Sequence, residues 1–379
     1  MKELKRSIFF ISLPIGFISL IFPIYALDIG VHVLQLGFLF SIFSVVSTII
    51  RPIVGNLIDK KGRKIGILLG IIFYTLVNLV YIFANDFKHL LMARILQSLG
   101  TSFLWISVDT FISDISQDNN RGKSFGIIGE SESKGGLLGS IIGFSILTSN
   151  YFKDPFMAVF IIFTLSSLVS LFYGIKDVPE TIGLKKDLKS GKVKDKKVLL
   201  FFLCIMGMLT LIGSLTAPVY FLYLQDHITN DLSLILSMLL PSAILSTFLP
   251  NKLGNISDKY GREKIVFIGL FANAMLQIMI PFNQSYYGFM LIYTMISIVG
   301  MFYGPALSSL VIDFVGENKR GRSYGLYSFA TGIGAAIGSI IGSYIYQNIG
   351  GTVFHLKGVL MIVMVLFVCY IYIRKLAFS

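Results

Sequence analysis

The stretch GNLIDKKGR at residues 55–63 recurs as GNISDKYGR at residues 254–262, and six of the nine positions are identical. The same offset of 199 residues carries GSIIG at 139–143 onto an identical GSIIG at 338–342. An offset that is held along most of a chain indicates two copies of one unit. The sequence therefore predicts two similar halves that meet near the middle of the chain.

The composition indicates that both halves lie in a membrane. The 379-residue chain is 55% hydrophobic and 14% charged, whereas about 25% of the residues in soluble domains are charged. Apolar stretches recur along it, and a stretch of about 20 apolar residues crosses a bilayer as a helix. We therefore predict twelve membrane-spanning helices, six in each half, at residues 8–27, 34–54, 65–84, 89–113, 123–147, 156–175, 198–222, 231–250, 265–283, 287–313, 322–346 and 357–374.

The net charge of +12 serves as an orientation signal. Most Lys and Arg lie at the termini or in the loops after even-numbered spans, whereas Lys88, Lys153 and Lys357 fall on the other side. Because cationic loops face the cytoplasm, both termini should be cytoplasmic in a multi-pass protein of a cell membrane, with a prokaryotic plasma membrane favoured. A nucleic-acid partner is not needed to explain the charge.

The spans divide the chain into three parts. Residues 1–175 should form an N-terminal bundle of six helices and residues 198–379 a C-terminal bundle. The segment between them, 176–197, is polar and rich in lysine. We expect it to be a cytoplasmic linker with some attraction to anionic lipid headgroups.

The repeated loop resembles the signature loop of the major facilitator superfamily, with Gly55, Asp59, Gly62 and Arg63 at its positions. Gly55 would allow close approach of a neighbouring backbone, and Gly62 would supply a tight turn. Asp59 could meet Arg63 or a helix N-terminus. The second half repeats the set as Gly254, Asp258, Gly261 and Arg262. Such a cluster could act as a latch between the halves, the alternative being a solvated loop with no switching role.

The resemblance covers essentially the whole chain. It implies an all-α membrane protein, with twelve helices in two pseudo-symmetric six-helix bundles and alternating access to one central cavity. The chain is most similar to the twelve-helix drug or metabolite:proton antiporters. It departs from the drug exporters of the family in one respect, because the fifth span is dense in glycine but lacks their Gly-Pro pair.

Several side chains are candidates for the substrate cavity. Arg94 and Gln97 belong to a stretch of the fourth span that looks like a second family motif. An arginine inside a span is costly unless it is paired or hydrated, so we expect Arg94 to face the cavity, the alternative being that it extends to the outer interface. Trp105, Tyr220 and Tyr303 could line an apolar pocket, although interface anchoring or packing would explain each of them.

Charges in the fifth span break the symmetry of the repeat. Glu130, Glu132 and Lys134 have Phe329, Thr331 and Ile333 as counterparts in the second half. Ionisable residues inside a membrane default to ion or substrate pathways, and Asp109 of the fourth span should lie at a similar depth. We expect Glu130 to be the main protonation site, paired with Lys134 four residues on. The alternative is a fifth helix that begins later and leaves both glutamates among the headgroups.

Two further repeated features suggest structural roles. Asp114 and Asp313 each precede an Arg-Gly pair by seven residues, and their duplication favours a structural charge network. The glycines at 135, 139 and 143 and their copies at 334, 338 and 342 should form smooth helix faces. Such faces allow close packing, and we expect them at the seam between the halves.

These observations favour a proton-coupled antiporter that exports amphipathic compounds, a multidrug-type efflux protein. An importer of a sugar or an organic anion is the first alternative. The alternative from another class is a membrane-embedded lipid-modifying enzyme, which would need clustered catalytic residues, whereas the four histidines fall in separate predicted outer loops. We expect the partners to be a small-molecule substrate, protons and the lipid bilayer. No cofactor or metal is expected, and the protein should be a monomer.

Overall fold

The computed structural model describes residues 2–115, 121–149, 151–181, 196–249, 261–315 and 322–377. Within these ranges the regular elements are helices, with no strand. The α-helices are α1 (Lys2–Asp28), α2 (Val33–Lys61), α3 (Arg63–Ile82), α4 (Phe87–Ile115), α5 (Arg121–Leu147), α6 (Pro155–Asp177), α7 (Lys196–Ser214), α8 (Tyr220–His227), α9 (Leu232–Phe248), α10 (Arg262–Met279), α11 (Tyr286–Val315), α12 (Arg322–Ile349) and α13 (Thr352–Ala377). A 3₁₀ turn, Ile280–Phe282, follows α10.

Most of these helices can cross a bilayer. Nine of those in the described ranges are long and apolar enough to do so, and α7 and α9 are shorter apolar helices. Helix α5 is not among the nine, and its middle carries Glu130, Glu132 and Lys134. Its 27 residues nevertheless reach about 40 Å at 1.5 Å per residue, which exceeds the hydrocarbon thickness of a bilayer. The all-α membrane fold expected from the sequence is confirmed.

The chain forms two compact units, Met1–Lys189 and Ser190–Ser379. In the first, α1 packs against α5 and α6, and α3 packs against α4 and α6. Apolar side chains such as Ile67, Leu104 and Val108 form its core. Two serines connect α1 to α6. Ser7 Oγ donates to the carbonyl of Ser170 (3.0 Å), and Ser170 Oγ donates to the carbonyl of Ser7 (2.7 Å).

The second unit repeats this pattern of pairs. Helix α7 packs against α12, and α10 packs against both α11 and α13. Its core contains Leu270, Ala274, Ala306 and Met361. The α1–α5 and α7–α12 pairs occupy corresponding places in the two copies of the repeat.

The seventh predicted span is broken. We predicted one continuous helix at 198–222, and this prediction is wrong because α7 ends at Ser214 and α8 begins at Tyr220. Between them, the amides of Ala217 and Val219 bond three residues back, as in a 3₁₀ turn. Pro218 lacks the amide that an α-helix would need there. The described ranges thus hold thirteen α-helices instead of twelve.

The glycine faces of α5 and α12 pack inside their own halves. A side chain at Gly139 would meet the backbone carbonyl of Leu13 in α1, and one at Gly338 would meet that of Leu211 in α7. The prediction that these faces lie at the seam between the halves is therefore wrong. Each instead allows a close helix pair within one bundle, which only residues without side chains permit.

Substitution of Gly139 by alanine should destabilise the protein. The added methyl group would overlap the Leu13 backbone, and overpacking of this kind costs about 1–3 kcal/mol. Gly129→Ala is the matched control, because no atom of the described residues lies within 4 Å of the added carbon. Thermal unfolding of both variants in detergent measures the difference. Equal melting temperatures for the two variants would contradict the close α1–α5 packing.

Candidate functional site

A buried arginine organises the turn between α2 and α3. Arg63 begins α3 and is only 2% exposed. Its Nε donates to Asp114 Oδ2 at the end of α4 (2.8 Å), and its Nη1 donates to the carbonyl of Ile58 (2.8 Å). Nη1 also lies 3.4 Å from Asp59 Oδ1. The contact between Asp59 and Arg63 that we expected is present, and Asp114 belongs to the same charge network.

Glu180, which the sequence analysis did not single out, completes this network. Its carboxylate accepts hydrogen bonds from the backbone amides of Arg63 (2.8 Å) and Lys64 (3.1 Å). It therefore caps the N-terminus of α3, where unpaired amides and the helix dipole favour a negative charge. We had assigned Glu180 to the linker, and its position directly after the apolar sixth span is the only signal in the sequence.

The turn itself explains Gly62. This residue has a φ of +106°, a conformation that side-chain-bearing residues rarely adopt, and a side chain there would meet the Glu180 carboxylate. Among the described residues, no atom lies within 4 Å of the place of a side chain at Gly55, so the close approach expected there stays a prediction. The network thus joins α2, α3, α4 and the segment after α6.

The second copy of the loop is described in part. Gly261 has a φ of +91°, so the turn conformation of Gly62 is repeated, and Arg262 again begins the following helix. Gly254 and Asp258 lie outside the described residues, as does the side chain of Asp313. The role of Gly254, Asp258, Gly261 and Arg262 as a second latch stays a prediction, and so does the structural charge network expected at Asp313.

Arg94 lies in a cage of aromatic rings. Its guanidinium carbon is 3.5 Å from the ring centre of Phe22, 4.5 Å from that of Phe40 and 5.5 Å from that of Phe43. Its Nη1 donates to Gln97 Oε1 (2.9 Å). At 6% exposure Arg94 does not extend to water at the outer interface, which was the alternative. Aromatic faces attract a desolvated cation, so they offset part of the cost of burial.

The charges of α5 separate into two groups. Lys134 Nζ donates to Glu130 Oε1, and these side chains are 44% and 36% exposed, respectively. Glu132, two residues on from Glu130, lies on another face of α5 and is partly buried, and the charge of Asp109 in α4 acts on it at longer range. The structure therefore pairs Glu130 with a cation and places Glu132 apart from that pair.

The aromatic cavity candidates lie in packed surroundings. Trp105 contacts the hydrophobic core of the first unit. Tyr303 packs over Gly269 of α10 in the second unit. Tyr220 begins α8 within a group of rings, and its buried hydroxyl has no hydrogen-bond partner among the described residues. Their contact with a substrate stays a prediction.

Lys357 is a buried cation in the last helix. We placed it on the outer side, at the first position of the last predicted span, but α13 already begins at Thr352, and Lys357 is 8% exposed within that helix. Its Nζ donates to Thr216 Oγ1 (2.7 Å), in the break between α7 and α8. It forms no ion pair with a carboxylate of the described residues. A proline alone does not explain the break, because α1 contains two prolines and remains continuous. We therefore attribute the break to Pro218 together with the hydrogen bond from Lys357 to Thr216.

Comparison with known proteins identifies the family. The model of the Major Facilitator Superfamily matches residues 7–304, and a second match covers 252–377. The chain belongs to this superfamily. It is 26% identical over 352 residues to the quinolone resistance protein NorA of Staphylococcus aureus, covering 90% of this chain and 88% of NorA. It is 22% identical over 352 residues to multidrug resistance protein 1 of Bacillus subtilis, covering 91% and 89%, respectively.

Two further comparisons agree with this assignment. An uncharacterized MFS-type transporter of Methanocaldococcus jannaschii is 25% identical over 366 residues, covering 92% of this chain and 94% of the relative. Among solved structures, a POT family transporter in complex with 5-aminolevulinic acid aligns with a TM-score of 0.79 and 14% identity, covering 97% and 95%. The protein is thus a multi-pass membrane transporter of small molecules and not an enzyme.

Removal of the Glu180 side chain should destabilise α3 and its turn. Loss of a helix cap costs about 0.5–2 kcal/mol, so Glu180→Ala should melt at a lower temperature than the parent protein. Glu263→Ala is the control, since this exposed glutamate lies in the first turn of α10 and its loss should cost less. If the two variants had the same melting temperature, the carboxylate of Glu180 would not be a specific cap.

Proposed function

We propose that this superfamily member exports small amphipathic compounds by alternating access, in exchange for protons. The observation that carries the proposal is the similarity over about nine-tenths of the chain to two proteins named for drug resistance. Acidic residues inside the first bundle supply the groups that proton exchange requires. The missing Gly-Pro pair of the fifth span leaves the superfamily assignment unaffected.

We infer that Glu132 and Asp109 carry the coupling proton. The sequence favoured Glu130, but Glu130 already has a cation as its partner in Lys134. Glu132 is partly buried and lies within the electrostatic influence of Asp109, so a proton on Glu132 would relieve the cost of a buried negative charge beside another acid. Protonation would thereby change the relative free energies of the cavity states, which is what coupling requires.

Arg94 and Gln97 are proposed to act in the substrate pathway of the first bundle. A guanidinium stays protonated, so Arg94 would hold a carboxylate ionised or contact the substrate instead of carrying the proton. Between these contacts, the rings of the aromatic cage would stabilise the buried guanidinium of Arg94. Trp105, Tyr220 and Tyr303 would line the pathway when the transporter changes state.

The Arg63 network is proposed to act as the conformational latch. It connects α2, α3, α4 and the start of the linker through one buried arginine, so a change at one partner of Arg63 alters the contacts of the others. With both termini in the cytoplasm, as the cationic loops indicate, this network lies at the cytoplasmic side of a plasma membrane.

An importer of an organic anion is the second candidate. Arg94 and Lys357 are buried cations without an ion pair to any carboxylate of the described residues, and such groups suit an anionic substrate. The direction of proton-driven flux distinguishes the two candidates.

Transport in proteoliposomes tests both. The purified protein would be reconstituted with an imposed pH gradient and offered fluorescent amphipathic cations, sugars and organic anions in turn. We expect amphipathic compounds to move against the direction of proton flow, and protein-free liposomes provide the control. If an organic anion moved together with protons and no amphipathic compound was transported, the protein would be an importer of organic anions and not an exporter.

The coupling pair gives a prediction that separates the glutamates. Glu132→Gln should lose uphill transport and keep substrate binding, because the amide cannot take up a proton. Glu130→Gln is the matched control, two residues away on α5, and should retain most uphill transport. Accumulation against the gradient is measured in proteoliposomes, and substrate binding in detergent. The reverse ranking of the two variants would return the coupling role to Glu130.

Arg94 gives a second prediction. Arg94→Ala should reduce transport severely, and Arg94→Lys should restore only part of it, because the ammonium lacks the planar fork that stacks on the rings. Both are compared at equal expression, with melting temperatures to exclude a folding defect. Full transport by Arg94→Ala would remove Arg94 from the pathway.

A further inference from the structure

A groove at the start of α1 combines two cations with two aromatic rings. It encloses about 320 Å³ and is lined by Lys5, Arg6, Phe9 and Phe10 of α1 and by Ser131 of α5. The proposed proton pathway, substrate pathway and latch use none of these five residues. The groove is therefore a feature that the transport proposal leaves unexplained.

Contacts with the neighbouring helices hold the groove in shape. Ser131 Oγ donates to the carbonyl of Lys5 (2.7 Å), which fixes α5 against the first turns of α1. On the other side, Phe10 stacks on Tyr173 of α6 with ring centres 5.8 Å apart and planes 12° apart. The guanidinium of Arg6 lies 5.8 Å from the centre of the same Tyr173 ring. The cations and rings are thus positioned before any ligand binds.

The groove carries positive charge that the protein does not neutralise. Neither Lys5 nor Arg6 forms an ion pair with a carboxylate of the described residues, and Arg6 is exposed. Glu130 attracts Lys5 electrostatically, but its hydrogen bond goes to Lys134. Since Glu130 and Lys134 cancel, the charges of Lys5 and Arg6 remain available to an anion.

The groove lies where lipid headgroups are found. The apolar span that contains it runs from Leu4 to Asp28, so residues 5–10 occupy its first turns. With the N-terminus in the cytoplasm, this end of the span lies in the inner leaflet, which holds anionic lipids. The location rests on the orientation given in the proposed function, but not on the substrate or on proton coupling.

We propose that this groove binds an anionic phospholipid of the inner leaflet. The phosphate would accept hydrogen bonds from Lys5 and Arg6, and the start of an acyl chain would lie along Phe9 and Phe10. Both parts of the groove are needed for this ligand class. A free inorganic anion would leave the rings unused, and an uncharged lipid or drug would leave the cations unused.

Lipid binding to the delipidated full-length protein tests the proposal. Native mass spectrometry would count bound phosphatidylglycerol during a titration, with phosphatidylcholine as the zwitterionic comparison of zero net charge. The double variant Lys5→Gln/Arg6→Gln removes both cations of the groove. Lys60→Gln/Lys61→Gln is the matched control, because it removes two exposed cations at the end of α2, on the same side of the membrane.

The expected result is a selective loss of affinity. Each cation near an anionic surface contributes a factor of about five, so the groove variant should bind phosphatidylglycerol between about fivefold and thirtyfold more weakly. The control variant should change the affinity by less than about twofold. In the groove variant, phosphatidylcholine binding should fall less than phosphatidylglycerol binding, because the choline cation offsets the charge of its phosphate. An unchanged melting temperature in phosphatidylcholine nanodiscs would show that the groove variant is folded.

Three results would overturn the proposal. Equal losses in the two double variants would indicate a diffuse charge effect, and an unchanged affinity in the groove variant would show that the groove is not the site. Competition by inorganic phosphate as effective as that by phosphatidylglycerol would indicate a free anion in place of a lipid. Because binding is measured without a gradient, a failed transport assay leaves this result unaffected.

Discussion

The cost of placing a cation among apolar side chains is the constraint on which the rest of this structure depends. Three buried cations of the described residues offset this cost in different ways. Arg63 is bonded to Asp114 and to a main-chain carbonyl, Arg94 is stacked within aromatic rings, and Lys357 is bonded to a single threonine. A fully paired cation suits a structural latch, whereas a cation held by rings or one hydroxyl can exchange its partner at lower cost. By this argument, the contacts of Arg63 are the hardest to change during transport, and those of Arg94 and Lys357 change more readily.

The two halves show which features belong to the scaffold. Close helix pairs at the glycines of α5 and α12 occur in both, and so does the left-handed glycine before α3 and α10. In the part of the chain that the structure describes, the acidic residues of α5 and the cage around Arg94 occur in the first half, and the broken helix occurs in the second. Function in such a duplicated protein is expected where the copies differ, because the shared parts already suffice to build a bundle.

Sequence reasoning worked best for features that are local in the chain. The membrane spans followed from runs of apolar residues, and the tight turn at Gly62 followed from its motif. Boundaries were weaker, since α13 begins five residues before the predicted span, and Lys357 therefore lies inside the helix instead of at its first position. Glu180 was missed for a related reason, since a single acid after an apolar span has no pattern around it that indicates a cap.

By itself, the sequence determined the all-α membrane fold, the internal duplication and the superfamily, because length, hydropathy and repeated spacing are properties of neighbouring residues. Tertiary structure alone decided which partner each charge has. Arg63 meets Asp114 across 51 positions and Lys357 meets Thr216 across 141, and no periodicity connects such pairs. It also decided that Glu130 pairs with Lys134 while Glu132 is partly buried on another face of α5, because the rotation of α5 about its axis is set by the contact of its glycines with α1.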